Sequence, residues 1–152
     1  MATATADRFG VVAEARGLAL TVEAAPGSHV VTIPPDWLDR LLGVLVDNAC
    51  KFTPDRGAVR ILVGGEGGRV TLAVEDAGPG IAPDEREQVF DRFHRASTKG
   101  AGAGLGLAIA DGIVRATHGR WRVGTSVLGG ASLAVSWPRG LPESPGGVAD
   151  RA

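Results

Sequence analysis

The sequence predicts an α/β chain, with strands and helices interleaved in a single domain. Two observations point there first. Leu38, Leu41, Leu42, Leu45, Ala49 and Phe52 recur at helical spacing, whereas residues 59–63 and 70–74 alternate apolar and polar side chains on either side of a glycine-rich connection. A third is a later helical run carrying Leu107, Ile109, Ile113 and Val114. The length, 152 residues, suits one domain with a core and is short for two.

In chain order, residues 1–6 are small and polar and carry no assigned function. Residues 7–15 predict a short helix, 18–23 a strand with period-2 alternation, and 29–33 a second strand. Pro34-Pro35-Asp36 is a helix-start signal with Asp36 as the expected N-cap, and Thr53-Pro54-Asp55 ends that helix. The hairpin turn is expected across Gly64 to Gly68. Residues 81–101 hold only a short helical candidate at 84–90, and a segment of that length inside a compact domain is characteristic of a functional lid. Gly102 to Gly106 open the second long helix, which ends near His118-Gly119. Strands at 121–123 and 132–137 complete the domain. The expected organisation is an arm at 1–10, a domain at 11–139 with its lid at about 81–103, and a tail at 140–152 with little to bury.

Composition narrows the function classes. Hydrophobic residues at 44% and charged residues at 22% favour neither a disordered nor a membrane-embedded chain. A net charge of −1 argues against a dedicated nucleic-acid binder. The longest apolar run, 41–46, is far short of a membrane span, and the N-terminus lacks the pattern of a secretion signal. One cysteine, Cys50, excludes an internal disulfide or a multi-cysteine metal site and suits a small buried hydrophobe in a reducing compartment. With 23 glycines, a G-x-G-x-G pattern arises by chance roughly 0.5 times in such a chain, so glycine spacing alone decides nothing.

Five motifs in order decide more. They are Asp47-Asn48-Ala49-Cys50-Lys51-Phe52-Thr53-Pro54, Asp76-Ala77-Gly78-Pro79-Gly80, Phe90-Asp91-Arg92-Phe93, Gly102-Ala103-Gly104-Leu105-Gly106-Leu107 and Gly129-Gly130-Ala131-Ser132. Together they resemble the N, G1, F, G2 and G3 boxes of the ATP-binding catalytic domain of bacterial sensor histidine kinases, over roughly residues 18–138. The resemblance implies a Bergerat-type two-layer α/β sandwich, a mixed sheet packed on about three helices with an ATP lid.

The residue chemistry is compatible with that likeness. Asn48 and Lys51 are three apart and share a helix face, where an amide oxygen suits Mg²⁺ and an ammonium can meet phosphate; a solvated Asp47–Lys51 pair is the plainer reading. The resemblance makes Asn48 the metal ligand and Lys51 a phosphate contact. Asp76 ends an apolar strand, where a carboxylate can accept the exocyclic amine of adenine and disfavour the carbonyl of guanine. Gly78 and Gly80 permit positive φ and close approach to the base, with Ile81 following. Gly102, Gly104, Leu105 and Gly106 sit at a helix N-terminus, which favours phosphate. Phe90 and Phe93 can anchor the lid, and Arg95 and Lys99 are its candidate phosphate cations. Ser132 falls where the family often carries a threonine near adenine. His94 belongs to the lid segment, His29 and His118 lack metal-ligand spacing, and the three tryptophans suit packing.

Two departures stand out. Val44 occupies the position where sensor kinases commonly carry a second asparagine, and where gyrases and the Hsp90 chaperones carry a general-base glutamate. Valine neither ligates Mg²⁺ nor activates water, which argues against a hydrolase and predicts weaker metal binding. No segment resembles the helical dimerisation domain bearing the acceptor histidine, so the chain is expected to be part of a longer kinase. The resemblance implies transfer of the ATP γ-phosphoryl group, with Mg²⁺, to a histidine on a dimerisation domain of the same or a partner chain, and then to a response regulator. It also implies a cytoplasmic, monomeric domain without nucleic-acid or membrane contact, in a full-length kinase open to membrane anchoring. Two alternatives remain: a degenerate nucleotide-binding or interaction module, and a serine kinase of the anti-sigma-factor type, which generally lacks the Phe90-Asp91-Arg92-Phe93 element.

Overall fold

The computed structural model describes residues 9–10, 13–26, 31–86 and 103–140, with residues 66 and 103–105 through their backbone only. Strands β1 (Ala19–Ala24), β2 (Ala58–Glu66), β3 (Arg69–Asp76), β4 (Arg120–Thr125) and β5 (Ala131–Pro138) form one sheet in the order β1-β2-β3-β5-β4. β1 lies parallel to β2 and every other neighbour is antiparallel, so the sheet is mixed. Helices α1 (Pro35–Phe52) and α2 (Ala103–Ala116) pack on each other and against the sheet, joined by helical residues at 9–10 and 13–16. The expected two-layer sandwich is what forms.

Helix α1 buries Leu41, Leu42, Leu45, Val46, Ala49 and Cys50, the face its spacing marked as apolar. It meets Val59 and Ile61 of β2, Leu72 and Val74 of β3 and Val114 of α2 in one core. Each of the large side chains among these contributes about 1.5 to 3 kcal/mol when fully buried. The helix opens two residues earlier than its sequence signal suggested, since the expected N-cap was Asp36. Pro34 is the N-cap and Pro35 stands in the first helical turn, where its missing N–H has no partner to lose and its φ is already helical. Asp36 makes no capping bond and instead lies in the first turn, favourable to the helix dipole.

At the other end, Thr53 is extended because Pro54 excludes the helical region for the residue before it. Arg16 then binds the carbonyls of Cys50 and Thr53 and pairs with Asp55 at 2.9 Å. A guanidinium on the last carbonyls satisfies acceptors the helix cannot. Burial pushes the Cys50 thiol up, the nearby Arg16 charge pulling the other way, which fits its reading as an inert packing residue. Thr53 Oγ1 is buried with no hydrogen-bond partner among the described residues.

Other differences have equally local causes. Gly64 and Gly65 pair with Thr71 and Val70 inside the hairpin, leaving Gly67 and Gly68 alone as the turn, both at positive φ. Val31 and Ile33 pack on the core without forming a strand, while 27–30 lie outside the described residues. Of the tryptophans, Trp137 and Trp121 pack inward and donate to Thr117 Oγ1 and Asp111 Oδ1, both at 3.0 Å. Trp37 is 45% exposed and is no packing residue; Ile109 is also exposed. The 3-10 turn Pro83–Glu85 begins the segment read as a lid; most of the 84–90 helical candidate, with the Phe90–Phe93 motif, His94, Arg95, Lys99 and Gly102, lies outside the described residues. No described helix is long and apolar enough to cross a membrane.

Candidate functional site

The alternation that builds β3 also aims its last carboxylate. Val70, Leu72, Val74 and Asp76 are the buried set of the strand, two residues apart, so Asp76 points into the helix-covered side of the sheet. It is 4% exposed. Oδ1 accepts from the backbone N–H groups of Gly78 and Ala131, each at 2.9 Å, while the Asp76 carbonyl accepts from Gly130 N at 3.2 Å. Oδ2 accepts no hydrogen bond from the described residues. A buried carboxylate with one oxygen anchored leaves the other able to accept a further donor.

Burial pushes the Asp76 carboxyl above the ordinary aspartate value, with the N–H bonds from Ala131 and Gly78 acting in the opposite sense. Because the folded pKa is raised, the carboxyl's contribution to stability is fully present below the ordinary value of about 3.9 and is lost as pH rises through the folded value. Recognition of a donor has the opposite sign, since it needs the ionised form. The melting temperature of the wild type relative to Asp76→Asn should therefore fall as pH rises above about 4. Nucleotide affinity of the wild type should fall as pH drops below the raised value. Parallel melting curves would contradict the assignment.

Two glycines make this arrangement possible by close approach. A Cβ on Gly130 would lie 2.2 Å from Asp76 Oδ1 and 2.5 Å from Gly78 N, and one on Gly78 would lie 2.6 Å from the Phe52 carbonyl. Gly78 is therefore required for space and has no positive φ, whereas Gly80 does, at 79°. Ile81 is half-buried against the core, and its carbonyl accepts from Arg86.

Helix α1 connects this loop to the start of α2. Val44, Asn48 and Phe52 are successive residues of one i,i+4 stripe. The Phe52 carbonyl abuts Gly78, and Val44 Cγ1 would sit 3.5 Å from a Cβ on Gly106. Asn48 thus lies midway, about 6 Å along the axis from each. It is half-buried and makes no hydrogen bond with the described residues. Lys51 Nζ pairs with Asp47 Oδ2 at 3.0 Å, both about half exposed, so the i,i+4 pair forms. Such a pair contributes at most about 1 kcal/mol and can be exchanged for another anion.

Helix α2 starts at Ala103, inside the glycine run rather than after it, so Gly104, Leu105 and Gly106 belong to its first turn. The N–H groups of that turn have no intrahelical acceptor and favour an anion. Ser132 is corrected by register. It pairs with Glu75, which places it on the face opposite the Asp76 carboxylate; Ala131, bonded to Asp76, is the residue in phase. Sequence reasoning also missed Arg16, whose anchoring of the α1 end depends on contacts 34 and 37 residues away that no local pattern encodes.

Residues 33–141 match the family of histidine kinase-, DNA gyrase B- and HSP90-like ATPases. The chain belongs to that family. It is 40% identical over 121 residues to the sensor protein kinase CarS of Pseudomonas aeruginosa, covering 80% of this chain and 26% of that protein. The mycobacterial sensor histidine kinase MprB superposes with a TM-score of 0.77 at 31% identity, over 90% of this chain and 95% of that one. Full-length ShkA, solved in complex with AMPPNP, gives 0.81 at 30% identity over 95% of this chain and 30% of that one. The chain spans about a quarter of the length of the curated relatives it matches. It is a homologue of sensor histidine kinase catalytic domains, with their ATP-binding fold.

Proposed function

We propose that this domain binds ATP with its base against Asp76 and its phosphates towards the first turn of α2, and supplies the γ-phosphoryl group to a histidine on a separate helical dimerisation domain. The observation that carries the reading is the buried Asp76 carboxylate, whose Oδ1 is held by two backbone N–H groups while Oδ2 has no partner among the described residues. The exocyclic amine of adenine is a donor of the right kind; guanine would bring a carbonyl and oppose two acceptors.

In the transfer, the bond between the γ-phosphorus and the β,γ-bridging oxygen breaks, a phosphorus–nitrogen bond forms on the acceptor imidazole, and ADP leaves. The imidazole proton goes to a base on the partner domain. What this chain contributes is placement and charge: the α2 first turn and Lys51 on the phosphates, with Arg95 and Lys99 as further cations. A response regulator is the onward acceptor, and the cytoplasm is the compartment where ATP and such a partner meet.

The residues present fit Mg²⁺ in a limited way. The described residues contain no group of three His, Cys, Asp or Glu side chains able to hold a metal, and Mg²⁺ usually keeps waters and substrate phosphates with only one or two protein ligands. Asn48 supplies one hard oxygen donor and Val44 none; bound there, Mg²⁺ would neutralise phosphate charge. Val44→Asn should tighten ATP about five- to tenfold with Mg²⁺ and leave the metal-free affinity unchanged. It should also lower stability by about 1 to 2 kcal/mol, because Val44 packs on the core. Calorimetry with and without Mg²⁺, beside a melting curve, checks both; an equal metal response in the two proteins contradicts it.

Incubation with γ-labelled ATP and a histidine-bearing dimerisation domain tests the transfer itself. Acid-labile phosphohistidine is the expected product. Acid-stable phosphoserine on an added anti-anti-sigma protein would establish the serine-kinase alternative. Nucleotide binding without any phosphoryl transfer would favour the interaction module, a reading that Val44 keeps in play.

A further inference from the structure

The sheet's outer face, turned away from the helices, divides electrostatically into two halves. On one half Arg60 is neutralised, with Glu23 at 2.7 Å and Glu75 at 3.3 Å. On the other, β3, β5 and β4 form a hollow of about 420 Å³ whose lining includes Arg69, Thr71, Arg120, Trp121, Arg122 and Ser136. No carboxylate of the described residues lines it, although the whole chain carries a net charge of −1. Arg69 is held in place, donating to Ser136 Oγ at 3.0 Å and to the Ser136 carbonyl at 2.8 Å. Arg120 and Arg122 are exposed and make no hydrogen bond or ion pair among the described residues. β4, which carries them, is an edge strand.

Charge and spacing together favour an extended acidic ligand. Arg120 and Arg122 face the same way, about 6.6 Å apart along the strand. Arg69 lies across β5, with two inter-strand steps of about 4.8 Å each between it and β4. The side chains of Arg120 and Arg122 are long enough to converge on a single phosphate, an occupant that displacement by inorganic phosphate tests. An extended peptide with acidic residues at alternate positions presents carboxylates at that same repeat of about 6.6 Å, and arginine forks bind carboxylates two bonds at a time.

We propose that this arginine-lined hollow docks an extended acidic segment of a partner protein, its alternate carboxylates engaging Arg120 and Arg122 and a further one reaching Arg69. The surface is separate from the nucleotide site and stands independently of it. The plainer role for charges on an edge strand is protection against edge-to-edge pairing, and the experiment separates the two.

The full chain is titrated, at low ionic strength, into a fluorescein-labelled peptide of alternating glutamate and serine and into its glutamine–serine counterpart. Selective binding of the acidic peptide is expected. It should weaken about tenfold in Arg120→Gln combined with Arg122→Gln, and not in Arg40→Gln, with melting temperatures unchanged. Failure of the wild type to bind, or an equal loss in Arg40→Gln, overturns the proposal. So does displacement by inorganic phosphate at matched ionic strength, which would indicate a simple anion site. Self-association of the double variant with peptide binding intact would assign the arginines to edge protection. Tighter binding in a full chain carrying Glu143→Gln and Asp150→Asn would assign the hollow to the chain's own tail.

Discussion

Asp76→Asn should weaken ATP on the order of 100-fold, about 2.7 kcal/mol, while improving GTP. The asparagine oxygen can keep the two bonds from Gly78 N and Ala131 N that hold Oδ1 now. Its NH₂ then replaces Oδ2 and faces the adenine amine, donor against donor, but complements the guanine carbonyl. The fold should tolerate the change, since a buried charge whose ionisation is disfavoured by desolvation has been removed. Calorimetric titration of both nucleotides, with melting curves at neutral pH, provides the check. Unchanged ATP affinity in a folded variant would mean that this carboxylate does not recognise the base.

Gly130→Ala should be the most damaging single methyl in the site. Its Cβ would fall 2.2 Å from Asp76 Oδ1 and 2.6 Å from the Asp76 carbonyl, against backbone and an anchored carboxylate that have nowhere to go. Overpacking of this kind costs about 1 to 3 kcal/mol, and here relief requires breaking the bond from Gly130 N to Asp76 or turning the carboxylate. Loss of stability should therefore come with loss of ATP binding. Gly67→Ala is the control for glycine replacement as such, because its Cβ would meet nothing within 4 Å and only the positive φ of 58° opposes it. If Gly130→Ala is no worse than that control, the tight packing around Asp76 is not what holds the site.

The parts of this molecule legible in its sequence are those governed by short-range periodicity. Helix α1, the β2–β3 hairpin and the strand position of Asp76 follow from repeats of 3.6 and 2 residues, which need no tertiary information. The same repeats place Asp76 at the buried end of its strand and Asn48 on one face of α1, whereas the roles read for them rest on the motif resemblance. The misses depend on partners far away in sequence. Ser132 was misplaced because only the β3–β5 register, Glu75 against Ser132, shows which side of the sheet it occupies. Gly78 looked like a conformational glycine, but the atom it must avoid is the Phe52 carbonyl, 26 positions earlier. Asp36 lost the cap because two consecutive prolines moved the helix start, a local effect weighed wrongly rather than a hidden one.

The central claim is that one oxygen of Asp76 is kept for the adenine amine. A crystal structure of the chain with a non-hydrolysable ATP analogue tests it most directly. The exocyclic nitrogen should lie about 2.7 to 3.2 Å from Asp76 Oδ2, with Oδ1 still bonded to Gly78 and Ala131. A base bound elsewhere, or one whose amine faces a main-chain carbonyl while Asp76 contacts only the protein, would contradict the account.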